Sequence, residues 1–234
     1  MTRISVCMAT YNGDQFIERQ IQSIMSQLND EDEVIISDDG STDDTLQIIR
    51  AFTDKRIKIF NNKNRRGPTG NFENALQHAL GNLIILSDQD DIWLPDKVND
   101  ICRLLVNNDL VLTNCEVVNQ NCELLHSSFF VLRGSRSGFW HNLYRNSYIG
   151  CCMAFRREIL TYALPFPAKV FFHDWWIGLL VEVKGRIVFY DKTLIKYVRH
   201  GGNFSPTGEK GYSFGKQILI RFFLLWNVIK RLLT

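Results

Sequence analysis

These 234 residues predict an α/β fold, a mostly parallel, Rossmann-like sheet flanked by helices, with a C-terminal amphipathic helix after it. Three observations point there. Short apolar runs alternate with stretches of helical periodicity through the first hundred residues, as in a parallel sheet covered on both faces. Gly, Pro and Asp clusters mark each change of pattern. Polar clusters follow the first, second and fourth apolar runs, and ligands of such sheets bind beyond the carboxyl ends of the strands.

Taken in order, Ile4–Ala9 reads as a strand and Tyr11-Asn12-Gly13 as a turn. Apolar residues then recur at helical spacing from Asp14 to Leu28. Val34–Ile36 is a second strand, closed by Ser37-Asp38-Asp39-Gly40. Ser41 or Thr42 is placed to cap a helix reaching Phe52, with Asp43 and Asp44 in its first turn. Ile57–Phe60 is a third strand. Gly67-Pro68-Thr69-Gly70 breaks the chain before a helix over 71–80, Leu83–Leu86 is a fourth strand, and Pro95 opens the next helix. Beyond Leu110 the pattern loosens. Strands are expected at 110–118, 148–155, 186–190 and 194–197, helices from Arg156 and from His173 to Val183, and a loop over 125–147.

Composition is ordinary for a globular chain, with 45% apolar and 22% charged residues. A net charge of +2 gives no electrostatic case for nucleic acid. None of the six cysteines forms a C-x-x-C pair and most lie in apolar runs, which predicts reduced core thiols in a cytoplasmic protein and no zinc site. The start, MTRISVCMATYNG, lacks the long apolar stretch of a signal peptide.

The stretch LSDQDDIWLPDK sets Asp88, Asp90 and Asp91 at the tip of an apolar strand. Like charges so close raise one another's pKa unless something offsets them. Hard oxygen ligands suit Mn2+ or Mg2+, which fill their remaining positions with water and substrate phosphates. The bland alternative is a solvated loop before a helix, which accounts for Asp91 and Asp96 better than for Asp88 and Asp90. No G-x-G-x-x-G and no phosphate-loop lysine follows the first strand, which argues against dinucleotide redox and ordinary ATPase chemistry.

Together, ISVCMATYNG, EVIISDDGSTDDT, LSDQDDIWLPDK and HDWW resemble, in order and over roughly residues 3–200, family 2 of the glycosyltransferases, whose domain is the glycosyltransferase A fold. The D-Q-D-D-I-W and His-Asp-Trp-Trp forms look closest to bacterial rhamnosyltransferases of surface polysaccharide synthesis. The resemblance implies an inverting, metal-dependent transfer from a nucleotide-diphosphate sugar. It implies residues 1–210 as the catalytic domain, with 1–109 binding the nucleotide-sugar, 110–210 the acceptor, and 211–234 a separate helix. Thr10, Tyr11, Asn12, Asp38, Asp39, Asp88 and Arg66 would bind the donor, and Asp90 with His200 the metal. Asp174 would be the base that deprotonates the acceptor hydroxyl, although His173 stands where the family usually has Glu. Trp175 and Trp176 are expected to offer an apolar face to an acceptor sugar.

The tail QILIRFFLLWNVIKRLL is apolar over most of its circumference, with basic points at Lys216, Arg221, Lys230 and Arg231. It is too short and interrupted for a span and resembles a helix lying on an anionic bilayer. The expected protein is therefore peripheral on the inner face of the cell membrane, adding rhamnose from dTDP-rhamnose, or glucose or galactose from a UDP donor, to a lipid-linked oligosaccharide of bacterial O-antigen or capsule. A non-catalytic sugar-binding or scaffold protein of the same fold is the distant alternative. A nucleotidyltransferase is disfavoured because TYNGDQF carries no Gly-rich, Lys-containing loop.

Overall fold

The structure, a computed structural model, describes residues 3–170, 172–201, 203 and 213–233. Its first half alternates β1 (Ile4–Thr10), α1 (Ile17–Met25), β2 (Glu33–Asp38), α2 (Thr45–Ala51), β3 (Ile57–Asn61), α3 (Pro68–His78) and β4 (Leu83–Asp88). These strands pair in parallel in the order β3-β2-β1-β4. Every residue of β2 is buried, as an apolar run covered on both faces requires. Helix α1 turns Ile17, Ile21 and Ile24 inward, and Pro68 opens α3 where its missing N–H costs nothing.

The second half contains β5 (Ile92–Trp93), α4 (Lys97–Leu104), β6 (Leu110–Asn119), β7 (Leu124–His126), α5 (Phe129–Arg133), α6 (Phe139–Tyr144), β8 (Met153–Arg156), α7 (Leu160–Ala163), α8 (His173–Lys184), β9 (Ile187–Arg199) and α9 (Phe214–Leu233). The sheet continues β4-β8-β6-β9-β5. Parallel pairing ends at β8, which lies antiparallel to both β4 and β6, while β6 and β9 are again parallel. One sheet thus crosses the 109/110 division; the 210/211 boundary lies outside the described residues.

Several elements depart from the sequence expectation for local reasons. Helix α1 begins three residues late, because the Gly13 carbonyl accepts from both Phe16 and Ile17 in a tight turn. Ser41 caps nothing: its hydroxyl accepts from the Asn12 N–H and donates to Asp38, so α2 starts only at Thr45. The expected 125–147 loop holds β7, α5 and α6. The 148–155 strand is half a 3-10 turn, Gly150–Cys152. The strands expected at 186–190 and 194–197 form one, β9, with a register shift where Asp191 and Lys192 bulge out. Asp191 accepts from Asn114 at 2.7 Å and Lys192 pairs with Asp100 at 2.8 Å.

All six cysteines are unpaired. Helix α9 packs Leu224 and Val228 into the core. Arg231 donates to the carbonyls of Tyr162, Leu164 and Pro165, and Arg221 to that of Tyr144. Its opposite side is open: Ile218, Leu219, Phe222, Trp226, Ile229 and Leu233 are exposed. At about 100° per residue these six fall within one stripe roughly 100° wide. No helix among the described residues is long and apolar enough to cross a membrane.

Candidate active site

The parallel register brings the strand tips together. Thr10 lies opposite Asp38, and Ala9 opposite Asp88. The loops beyond are tied to one another. Asp38 is buried and accepts from the Gly40 and Ser41 N–H groups and from the Thr10 and Ser41 hydroxyls. Both its oxygens are thereby committed to shaping the turn. Asn12, held at φ +47°, accepts from the Thr42 N–H at 2.8 Å. Asp39 accepts from Asn62 at 2.8 Å and from the Gly67 N–H at 2.7 Å, joining the β2 tip to the 62–67 loop. In that loop Arg65 is committed to the Pro167 and Val170 carbonyls, whereas Arg66 is exposed.

Gln89, the middle residue of Asp88-Gln89-Asp90, has a part that sequence reasoning missed. Its amide clamps the Tyr11 backbone, accepting from the N–H at 2.9 Å and donating to the carbonyl at 3.1 Å. The Tyr11 ring is left 53% exposed beside the strand tips. Gly13 makes the clamp possible, since a Cβ there would lie 2.4 Å from Gln89 Oε1. Its signal was the D-x-D spacing itself, with an amide between two acids.

Asp90 and His200 meet across 110 residues, the imidazole Nε2 lying 2.7 Å from Asp90 Oδ2. His200 stacks on Phe16 with centroids 4.4 Å apart, and Asn203 also donates to Asp90. Asp91 is not a solvated acid of the α4 start, as the bland alternative had it. It is fully buried, accepts from the Val198 N–H at 3.2 Å, and keeps Oδ2 without a partner among the described residues. Ligand atoms of Asp88, Asp91 and Cys151 lie within 4.8 Å of one another. Burial, and then the charge of Asp90, push the Asp88 carboxyl up to about 8 and that of Asp91 upward as well. A hydrogen bond with Cys152, and then burial, raise the Cys151 thiol too, so oxygen donors dominate the site. Converging acids, an orphaned buried oxygen and an adjoining imidazole fit a hard divalent cation, which would reverse the drive toward protonation.

Asp174 occupies the first turn of α8. Burial pushes its carboxyl up to about 6, against donation from the Trp175 and Gly150 N–H groups. It stands near enough for its charge to raise Asp88, so β4 and α8 bring their acids to one site. His173 beside it stacks on Phe72 at 4.1 Å, and burial lowers its pKa to about 3, keeping the ring neutral. The expected acceptor face is corrected: Trp176 is wholly buried and Trp175 is 6% exposed. Their indole N–H groups donate to the Ala163 and Asn142 carbonyls, and Arg231 and Arg221 of α9 lie over the rings. Neither ring is available to a sugar.

Comparison with known proteins bears on the family and the fold. Residues 5–162 match the family model described as glycosyl transferase family 2. A UDP-Glc:alpha-D-GlcNAc-diphosphoundecaprenol beta-1,3-glucosyltransferase, WfgD of Escherichia coli, is 31% identical over 174 residues, 74% of this chain and 68% of the relative. The dTDP-rhamnosyl transferase RfbG of Shigella flexneri is 41% identical over 115 residues, 46% of this chain and 39% of the relative. The crystal structure of S. aureus TarS 1-349 in complex with UDP-GlcNAc shares the fold, with a TM-score of 0.71 at 20% identity over 97% of this chain and 67% of that one. With the family match spanning more than half of its residues, the chain belongs to glycosyl transferase family 2, on the glycosyltransferase A fold.

Proposed function

We propose that this chain is an inverting glycosyltransferase that moves a hexose from a pyrimidine nucleotide-diphosphate sugar to a lipid-linked oligosaccharide of bacterial surface polysaccharide. The observation that carries it is the bond between Asp90 and His200 beyond the tip of β4, with Asp88 there close enough to feel the charges of Asp90 and Asp174. Asp90 and His200, with Asp88 beside them, are the residues that would hold Mn2+ or Mg2+. The cation's contribution is electrostatic, stabilising charge on the departing nucleotide diphosphate. Tyr11, held by Gln89, offers its exposed ring to the base, with Thr10, Asn12, Asp38 and Asp39 shaping the loops around it and Arg66 free to turn toward phosphate oxygens. Asp174 accepts the proton of the acceptor hydroxyl as that oxygen attacks. A carboxyl raised to about 6 is ionised at neutral pH and still basic enough to receive it.

The donor sugar is read as rhamnose from dTDP-rhamnose, in line with the similarity to RfbG. UDP-glucose is the second reading, favoured by the longer alignment with WfgD. The name of WfgD includes a diphosphoundecaprenol acceptor, and the exposed apolar stripe of α9 suits a protein lying on the inner face of the membrane where such an acceptor is found.

The test is a thermal-shift panel with dTDP-rhamnose, UDP-glucose, UDP-galactose and GDP-mannose, each with and without Mn2+. A ligand at 100 times its Kd adds about 2.7 kcal/mol. A manganese-dependent rise confined to dTDP-rhamnose or UDP-glucose is expected. A response to GDP-mannose alone would refute the pyrimidine donor, and no response to any would refute donor binding.

A further inference from the structure

Helix α1 turns Ile17, Ile21 and Ile24 inward, yet Gln20 stands among them, wholly buried. A buried amide is costly unless its hydrogen bonds are made. Here both ends of the amide are bonded, and the bonds run to one place. Gln20 Nε2 donates to the Ser87 hydroxyl at 2.8 Å and to the Asp88 carbonyl at 3.1 Å. Its Oε1 lies 3.0 Å from the hydroxyl of Ser23, one turn on, which also lies 2.8 Å from the Gln20 carbonyl. The Ser23 oxygen in turn accepts from the Trp93 N–H at 3.0 Å. Gln20 and Ser23 thus bridge the tip of β4 to β5, and Asp90 and Asp91 lie within the span that they close.

Two further contacts join the same face of α1 to the residues that would hold the cation. Arg19 Nη2 donates to the Asp90 carbonyl at 3.4 Å, and its guanidinium lies 5.0 Å from the Phe16 ring. His200 stacks on that ring. Asp90 is therefore held at its backbone from α1 and at its carboxylate by an imidazole packed on the residue that precedes α1. Residues 16, 19, 20 and 23 repeat at helical spacing, so one rigid element serves every contact. Acids as close as Asp88, Asp90 and Asp91 repel one another when ionised, and a short connection between strands is easily spread by that repulsion. A buried polar network with its bonds made is stiff enough to resist it.

We propose that Gln20 and Ser23 are positioning residues for the divalent cation: acting through the backbone of residues 87–93, they fix the spacing at which Asp88 and Asp90 meet one ion. This rests on the metal-dependent reading above. Gln27, just beyond α1, supplies the control. It makes the same kind of bond, to the Leu94 carbonyl at 3.0 Å and from the Val98 N–H at 3.3 Å, but past the acids. A merely structural role for this face of α1 predicts that all three side chains behave alike.

In the test, Mn2+ is titrated into the full chain and into Gln20→Met, Ser23→Ala and Gln27→Met, each with UDP or dTDP present. The free ion is followed by electron paramagnetic resonance against nucleotide-only blanks, and folding by circular dichroism. Loss of a group that orients a metal ligand costs about 10–100-fold in metal affinity. The expected result is a loss on that scale in Gln20→Met and in Ser23→Ala, with Gln27→Met close to the unsubstituted chain. Ser23 is only partly buried, so Ser23→Ala carries the test if Gln20→Met misfolds. Mn2+ affinity retained in either folded variant overturns the proposal. An equal loss in Gln27→Met overturns it too, by making the whole face of α1 structural. If the unsubstituted chain takes up no Mn2+ beyond the blank with either nucleotide, the metal-dependent reading itself fails, and the positioning with it. Uptake by that chain with retention in the variants refutes the positioning alone.

Discussion

The two halves of the sheet position their functional groups by different means. From β1 to β4, parallel register aligns the strand tips, and short loops tie them together through Asp38, Asn12, Asp39 and Gln89. Past Asp88, side chains arrive from unrelated places: Asp174 from a helix start and His200 from beyond β9. In the first half backbone pairing aligns the strand tips, and several side-chain bonds to the loop backbone share the work of holding the turns. In the second, packing of individual side chains sets it, so chemistry and stability are harder to separate.

The sharpest test of that contrast is Asp174→Asn, because the proposed base is a second-half group whose effect should nevertheless be purely chemical. A general base contributes about 10²–10⁴-fold. A fall of that size in kcat, with unchanged circular dichroism, is the expected outcome; full activity would remove Asp174 from the mechanism. Its carboxyl, raised to about 6 from 3.8, fixes two pH slopes of opposite sign. The folded state keeps a proton that the unfolded chain has already lost between those values, so this group's contribution to stability declines as pH rises through that window. Activity rises over the same window as the base ionises, with the acid limb of kcat/KM near pH 6; a bound cation would move it lower. Asp174→Asn should abolish both slopes.

Trp176→Ala probes the other side of the contrast. The side chain is fully buried, and such truncations cost about 3–5 kcal/mol. The expected result is a large drop in the unfolding midpoint, with the remaining folded protein still binding donor nucleotide. A stable variant that had lost acceptor affinity would restore the sugar-binding face that burial now rules out.

The same contrast explains what could be read from the sequence. The first half was legible because parallel strands buried on both faces appear as apolar runs, and their tips as polar clusters; Asp88, Asp90 and the Ser37–Gly40 turn were visible that way. Asp174 and His200 came from family order, since no local period places an acid of α8 near β4. The fates of Trp175 and Trp176 were illegible because α9, forty residues on, covers them. The bland alternative fails at Asp91 for a similar reason: β9, over a hundred residues later, packs on it. Bulged β9 looked like two strands because Asp191-Lys192 interrupts an apolar run only locally.

Helix α9 belongs to both regimes, packed on one face and open on the other. Replacing Phe222 and Trp226 together with Glu alters only the open face, where they are 65% and 59% exposed. Binding to vesicles containing anionic lipid should weaken by about 3 kcal/mol, roughly a hundredfold in partition coefficient, from the lost apolar contact. The unfolding midpoint should hold. Unchanged partitioning, measured by vesicle co-sedimentation, would make the stripe a protein-facing surface.

The smallest effect falls in the first half, where the frame is most redundant. Gln89→Ala removes two hydrogen bonds to the Tyr11 backbone, each worth about 0.5–1.5 kcal/mol net. Both backbone groups lie at an exposed loop where water can replace the amide, so the cost should sit at the low end of that range. The expected outcome is a severalfold rise in the donor KM with kcat and acceptor KM nearly unchanged, because the clamp orients the ring that meets the base and touches neither Asp90 nor Asp174. A fall in kcat instead would mean that Gln89 acts on Asp88 and Asp90, between which it sits, and that the donor loops depend on single side chains as much as the acceptor half does.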